Sequence, residues 1–218
     1  MFAAMALMEV LDFLDLASVA VFALTGALVA SRSQLDIVGF IFIAALTALG
    51  GGTVRDMLLG RPILWIDEPV YLAVAAVAAV VVFFLAPRLE SRYRVLVWLD
   101  ACALAVAVPA GVAAAQDAGV SWPVVLVMGM VTGVLGGLMR DVVCNEVPLV
   151  LKQGELYATA AFAGAAAAVA AEGAGMPGGI ALAVCAGVVL ALRVGSIALG
   201  WRLPVYRARP PRPENPKR

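Results

Sequence analysis

The chain has 218 residues, 64% of them hydrophobic and only 14% charged, and its 15 Lys and Arg balance its 15 Asp and Glu to a formal net charge of zero. A soluble domain of ordinary composition carries about 25% charged residues, so this composition excludes a water-soluble globular enzyme or binding module and points to a membrane protein. Histidine is absent, which removes the commonest metal ligand and the easiest proton relay; no cofactor, metal site or nucleic-acid partner is expected.

A membrane-spanning helix needs about 20 consecutive apolar residues, and seven such blocks stand at 13–30, 36–60, 69–86, 95–114, 122–144, 155–171 and 178–200. No Lys or Arg precedes the first block and no cleavage site follows it, so it reads as a retained helix and not as a removed signal peptide. The breaks fall at Ser31-Arg32-Ser33-Gln34, Arg61-Pro62, Pro87-Arg88, Gln116-Asp117, the stretch from Val147 to Gly154, and the Gly/Pro cluster from Gly173 to Gly179. Gly, Pro and polar punctuation of this kind is where helices end. The segment 202–218 is rich in Pro and Arg and reads as an extended or disordered tail.

Lys and Arg in short loops mark the cytoplasmic side. Arg32, Arg88, Arg92, Arg94, Lys152 and the tail residues Arg202, Arg207, Arg209, Arg212, Lys217 and Arg218 fall on one side. The other side holds Arg61 and the acids Glu9, Asp67, Glu68, Asp117 and Glu172. The N-terminus is therefore expected outside and the C-terminus in the cytoplasm, which requires an odd number of spans.

The chain repeats itself. At an offset of 85 residues, Asp15 aligns with Asp100, Gly26 with Gly111, Thr47 with Thr132, Gly51 with Gly136, Gly52 with Gly137, Arg55 with Arg140 and Asp56 with Asp141. One inserted residue then brings Tyr71 onto Tyr157. Each half contains three spans, so the second must enter the membrane from the opposite face, as in inverted-repeat transport proteins whose pathway lies where the halves meet. The expected fold is all-α: a polytopic membrane protein of seven transmembrane helices, as a 3+3 inverted repeat plus one C-terminal helix. Its units are 10–90, 95–173, the seventh helix at 177–201, and a cytoplasmic basic tail at 202–218.

Thr47, Gly51 and Arg55 are spaced four apart and share a helix face, and Thr132, Gly136 and Arg140 repeat that stripe. A hydroxyl, a bare backbone and a guanidinium suit a water-filled route or a buried polar seam better than contact with lipid. Gly50, Gly51, Gly52, Gly136 and Gly137 each weaken a helix by about 1 kcal/mol relative to Ala and permit a kink that frees carbonyls. The competing reading is close helix packing. Arg55, Asp56, Arg140 and Asp141 are expensive within a bilayer and are expected to face a cavity or to pair, each with its neighbour. They would form two charged constrictions flanking the glycines.

Asp15, Ser18 and Thr25 share a stripe that would line a polar route, although Asp15 equally suits the outer headgroup region; Asp100 is its counterpart. Glu146 is expected at the interface, Arg193 is expected to snorkel to the cytoplasmic surface, and Trp65, Trp98, Trp122 and Trp201 to form interfacial belts. Cys102, Cys144 and Cys185 read as small packing hydrophobes. No nucleophile–base pair or phosphate loop is visible, GGGTVRD lacking the Lys-Ser/Thr of a P-loop, so no enzymatic activity is expected.

The doubled pattern GGTVRD and GGLMRD, with the three-plus-three-plus-one layout, resembles the prokaryotic trimeric intracellular cation (TRIC) channels over residues 10–200. The resemblance implies a homotrimer in the bacterial inner membrane, surrounded by membrane lipids, with one ion route per subunit between the repeats. It implies potassium as principal permeant cation with sodium also passing, the glycines as kinks, and Arg55, Asp56, Arg140 and Asp141 lining or gating the route. The same sequence family includes bacterial proteins assigned as glycine transporters. In a glycine or small amino-acid transporter, Arg55 or Arg140 would hold the carboxylate, and an Asp or a freed carbonyl the ammonium. The motif leaves both readings open.

Overall fold

The computed structural model describes residues 2–88 and 91–206, with side chains described from residue 12 onward. The expectations for the Glu9 side chain, and for the tail from Arg207 to Arg218, lie outside the described residues.

The elements run α1 (Phe2–Arg32), α2 (Ile37–Leu59), the one-turn α3 (Leu64–Asp67), α4 (Val70–Leu85), α5 (Arg92–Asp117), α6 (Trp122–Val143), α7 (Ala158–Gly173) and α8 (Gly178–Ala198). Among the described residues six are long and apolar enough to cross a membrane, α4 when counted with the 3-10 turn that carries it to Arg88, and α7 is a shorter apolar helix of 16 residues. The ends are set by local chemistry. Asp36 caps α2 by accepting the Gly39 N–H at 2.8 Å, and Gly60, at φ 66°, closes its C-terminus in the left-handed conformation that glycine adopts without strain. Ser91 caps α5 through the Arg94 N–H.

The two halves point in opposite directions, as the polar contacts at their ends require. At one end, Arg61 just past α2 pairs with Asp117 at the C-terminus of α5 (2.9 Å). At the other end, Arg32 at the C-terminus of α1 pairs with Glu146 just past α6 (2.9 Å), and Arg92 at the start of α5 donates to the Ser31 carbonyl. Thus α5 starts where α1 finishes, and α2 and α6 end on opposite sides. We refer to the side of Arg61, Asp67, Glu68 and Asp117 as the acidic end and that of Arg32, Arg92 and Lys152 as the basic end.

The core forms around close helix approaches. A methyl on Gly26 would lie 2.6 Å from Thr47 Oγ1 and 2.7 Å from the Ile43 carbonyl; one on Gly111 would lie 2.5 Å from Thr132 Oγ1 and 2.6 Å from the Met128 carbonyl. These are the same contacts one repeat apart, fixing α1 on α2 and α5 on α6. Between the halves, α2 crosses α6 where a methyl on Gly51 would press into the Thr132 carbonyl, and one on Gly136 into the Thr47 carbonyl. At this crossing α2 and α6 stay helical through their glycines. Each threonine hydroxyl bonds back to its own helix, Thr47 to the Ile43 carbonyl (2.6 Å) and Thr132 to the Met128 carbonyl (2.8 Å). The threonine carbonyls then face the partner's bare backbone, a geometry suited to weak Cα–H···O contacts.

Helix α8 packs on α5 and α7. After it the chain turns back: Trp201 covers Gly195, and the Leu203 N–H donates to the Gly154 carbonyl at 2.9 Å. Residues 202–206, expected to be tail, therefore begin as a strap over the loop before α7.

Candidate functional site

Two buried ion clusters flank the α2–α6 crossing, each built by the same sequence logic. At the acidic end, Arg55 on α2 reaches α1 and clasps Asp15 with two N–H groups (2.8 and 3.1 Å), while its Nε donates to its neighbour Asp56 (2.8 Å). The second oxygen of Asp56 accepts the Leu64 N–H at the start of α3 (3.1 Å). At the basic end, Arg140 on α6 donates through Nη1 to Asp100 on α5 (3.1 Å) and through Nε to Asp141 (2.7 Å). The second oxygen of Asp141 accepts the Leu149 N–H (2.9 Å). Asp15, Arg55, Asp56 and Leu64 thus repeat as Asp100, Arg140, Asp141 and Leu149, all at the 85-residue offset.

The clusters differ in two respects. Thr25 on α1 accepts from Arg140 Nη1 at 2.9 Å, whereas Ala110, its counterpart on α5, offers no hydroxyl to Arg55. The basic-end pair is also less complete, because Asp100 Oδ2 and Arg140 Nη2 are buried without a hydrogen-bond partner among the described residues.

Access differs more. The acidic-end cluster opens into a cavity of about 270 Å³, where Asp12, Arg61, Asp67, Glu68 and Tyr71 join Asp15, Arg55 and Asp56. Over the basic-end cluster only about 10 Å³ remains, between Arg32, Tyr93, Asp141, Glu146 and Lys152. Two cations lie close to the Tyr93 ring there, Arg32 at 4.8 Å and Lys152 at 4.5 Å from its centre, and Lys152 also donates to its hydroxyl. With Arg32 paired to Glu146, these side chains cover the Asp141 side of the cluster.

The structure gathers most of the residues singled out from sequence. Thr47, Gly51, Thr132 and Gly136 meet at the crossing, and Arg55, Asp56, Arg140 and Asp141 form the clusters. Gly50 rests against Met139 and Gly52 against Leu64, while Gly137 faces Tyr157, Arg140 and Asp100. Asp15 and Asp100 are the main partners of the arginines across helices, a role the adjacent Arg-Asp pairs obscured; Asp15 is therefore not free in a headgroup layer. Ser18 donates to the Asp15 carbonyl of its own helix (2.9 Å) and joins neither cluster.

Other expectations change. Arg193 does not snorkel: it is 0% exposed, over the Tyr157 ring and near Glu155. Trp65, half-buried, donates to Thr53 Oγ1 on α2 (2.9 Å). Of the three cysteines Cys185 is buried, Cys144 half-buried and Cys102 exposed on the surface of the subunit. Sequence reasoning missed Tyr93, the contact of Lys152 with it and that of Arg193 with Tyr157, and Leu64 and Leu149 as backbone donors. The offset that paired the arginines also pairs Leu64 with Leu149, and following it to the end would have found them.

Comparison with known proteins gives the same doubled pattern. A family model described as "Glycine transporter" matches the chain twice, at residues 12–87 and 97–172. A UPF0126 membrane protein of Deinococcus radiodurans is 40% identical over 163 residues, covering 74% of this chain and 76% of its own length. The UPF0126 inner membrane protein YadS of Escherichia coli K12 is 40% identical over 155 residues, covering 70% and 74%. Among solved structures, the TRIC trimeric intracellular cation channel orthologue from Rhodobacter sphaeroides superposes with a TM-score of 0.85 at 40% identity, over 88% of this chain and 98% of its own. The chain, matched by the family model in both halves, belongs to this glycine-transporter family of membrane proteins, which is also the family of the bacterial TRIC channels.

Proposed function

We propose that the protein is a monovalent cation channel, not an enzyme, with potassium as its principal permeant ion and sodium also passing. One route runs through each subunit between the two repeats, past the crossing of α2 and α6. The subunits assemble as a homotrimer in the bacterial inner membrane, with the acidic end outside and the basic end cytoplasmic, following the distribution of Lys and Arg.

The observation that carries this reading is the pair of equivalent buried clusters, one opening to an acidic cavity and the other sealed. An arginine in a cation route needs explaining, and the geometry supplies the reason. Arg55 is held by both Asp15 and Asp56, and Arg140 by both Asp100 and Asp141. Each arginine is outweighed by its two carboxylates, so each cluster keeps a net negative charge. Asp12, Asp67 and Glu68 extend that charge into the outer mouth, which concentrates cations there. Tyr93, Lys152 and the Arg32–Glu146 pair over the inner cluster support reading this arrangement as the closed form.

The same geometry weighs against a glycine transporter, which the family description raises. A substrate carboxylate would need accessible guanidinium donors, yet Arg55 engages Asp15 and Asp56 through its Nε and both Nη groups, and the unpartnered Nη2 of Arg140 belongs to a side chain that is fully buried. The amino acid would have to displace Asp15.

Purified protein in planar bilayers with asymmetric potassium chloride tests the choice. Unitary currents reversing near the potassium equilibrium potential are expected. Electrical silence accompanied by saturable glycine uptake into liposomes would overturn the channel reading in favour of the transporter.

A further inference from the structure

We infer that Arg193, on the helix outside the repeat, is a positioning residue for the inner half of the route: through the Tyr157 ring it sets the Arg140–Asp100 pair. The role in conduction rests on the channel reading above; the positioning itself does not.

Arg193 is 0% exposed, its guanidinium carbon is 4.7 Å from the centre of the Tyr157 ring, and its Nη1 is 3.5 Å from Glu155 Oε2. None of its N–H groups has a hydrogen-bond partner among the described residues. A buried guanidinium that makes no hydrogen bond is held by the ring face and by the carboxylate alone. Tyr157 is itself 1% exposed. Its hydroxyl converges with the inner cluster at Gly137, where a methyl would lie 3.4 Å from the hydroxyl oxygen, 3.6 Å from Arg140 Nη2 and 3.6 Å from Asp100 Oδ1. The tyrosine hydroxyl, Arg140 Nη2 and Asp100 Oδ1 thus surround the same point beside the Gly137 backbone. Arg140 Nη2 and Asp100 Oδ2, the two groups of that pair lacking partners, leave it one bond short of the bidentate clasp between Arg55 and Asp15.

The repeat provides an internal control. Tyr71 is the first-half counterpart of Tyr157, and it lines the open cavity with no cation over its ring among the described residues. The arginine has therefore been added to one half only, by the helix that the other half lacks. It arrives with its own counter-charge. Glu155 offsets Arg193, so the inner cluster keeps the single net negative charge that Arg55, Asp15 and Asp56 carry at the outer end. The loop that supplies Glu155 and Tyr157 is tied to the last turn of α8 and to the strap that follows it: the Leu156 N–H donates to Ser196 Oγ (3.2 Å), and the Gly154 carbonyl accepts the Leu203 N–H. Helix α8 thus holds the tyrosine by its backbone and by its ring.

The test combines a positional and a functional readout on the full chain. Protein labelled with 3-fluorotyrosine carries four tyrosines, and Tyr157→Phe assigns the resonance of interest by removing it. In Arg193→Gln the Tyr157 fluorine resonance is expected to shift and broaden while that of Tyr71 stays in place. Open probability or rectification in bilayers is expected to change by about 2- to 30-fold, the range for residues coupled to a site through packed contacts. Arg193→Lys, which keeps the cation, should return both readouts toward wild type. Should Arg193→Gln fail to fold, Arg193→Gln with Glu155→Gln removes the charges together, leaves neither buried alone, and carries the same expectations. An unmoved Tyr157 resonance in a folded variant would overturn the positioning role, and a moved resonance with wild-type currents would overturn its link to conduction. Wild-type protein that carries no current would instead defeat the channel reading, and the fluorine spectrum would still decide whether Arg193 places Tyr157.

Discussion

Arg55 and Arg140 occupy equivalent positions, yet their carboxylate partners sit in different surroundings, and the difference should be measurable. The Asp15 side chain is 16% exposed at the edge of the outer cavity; that of Asp100 is 0% exposed. Breaking a buried ion pair from one side strands the other charge at a cost of about 3–5 kcal/mol, and Asp100→Asn should lower stability by that order. Asp15→Asn leaves Arg55 beside Asp56 and within reach of water, so a loss of about 1 kcal/mol or less is expected, as for pairs that reach solvent. Unfolding of both variants in the same detergent compares them, and equal losses would show that burial does not set the cost. The exposed acids of the mouth act at longer range. Replacing Asp67 and Glu68 by Asn and Gln should reduce conductance at low salt, and the deficit should vanish at about 1 M, where screening shortens to about 3 Å. A deficit that persists at high salt would mean that these residues touch the ion instead of attracting it.

At the level of elements, the crossing of α2 and α6 depends on two missing side chains. A methyl at Gly51 or Gly136 would meet a carbonyl oxygen of the opposite helix, and backbone cannot turn aside as a side chain can. Overpacking of this kind costs about 1–3 kcal/mol, so Gly51→Ala and Gly136→Ala should each destabilise by that amount. The double variant should cost less than the sum, because either methyl already forces the helices apart at the shared contact. Gly187 in α8 has open space around its backbone, and Gly187→Ala should be neutral or stabilising by up to about 1 kcal/mol. Thermal unfolding of the three single variants separates packing from helix propensity. The crossing also marks how far the sequence could be read. Glycines spaced against Thr and Arg fall on the faces where α2 and α6 meet, but their spacing suits a kink and a close approach equally well, and the close approach shows only once the partner helix is in place. The spans were legible because apolar length is a direct consequence of the bilayer, and the opposed halves because each holds an odd number of spans. Arg193 was misplaced for a related reason: position along a helix predicts depth, whereas burial depends on which neighbour presents a ring and a carboxylate. Cross-helix partners such as Thr25 for Arg140 leave no trace in local spacing.

Across the whole molecule, the two end contacts Arg32–Glu146 and Arg61–Asp117 are one contact seen twice. Adding the repeat offset to Arg32 gives Asp117, and adding it to Arg61 gives Glu146. The first half supplies the cation at both ends and the second half the anion, so two copies of either half would set like charges against each other, and only unlike halves are compatible. Both pairs are partly exposed, with side chains 28% and 37% accessible at the basic end and 32% and 48% at the acidic end. Pairs of this kind contribute at most about 1 kcal/mol, little for stability but enough to shift a balance between closed and open forms by about fivefold. The two ends should respond differently, because only the basic end is shut. Glu146→Gln frees Arg32 and loosens the group around Tyr93 and Lys152 that seals the inner cluster, and it should raise open probability by up to that factor. Asp117→Asn releases Arg61 at an end that is already open, and should leave open probability unchanged while altering the charge of the mouth. The exchange Arg32→Glu with Glu146→Arg keeps the attraction between the halves with its direction reversed. It should bring open probability back toward wild type if the ion pair itself holds the end closed. If the exchanged protein gates like Glu146→Gln, the closure belongs to Tyr93 and its two neighbouring cations, and the Arg32–Glu146 pair only accompanies it.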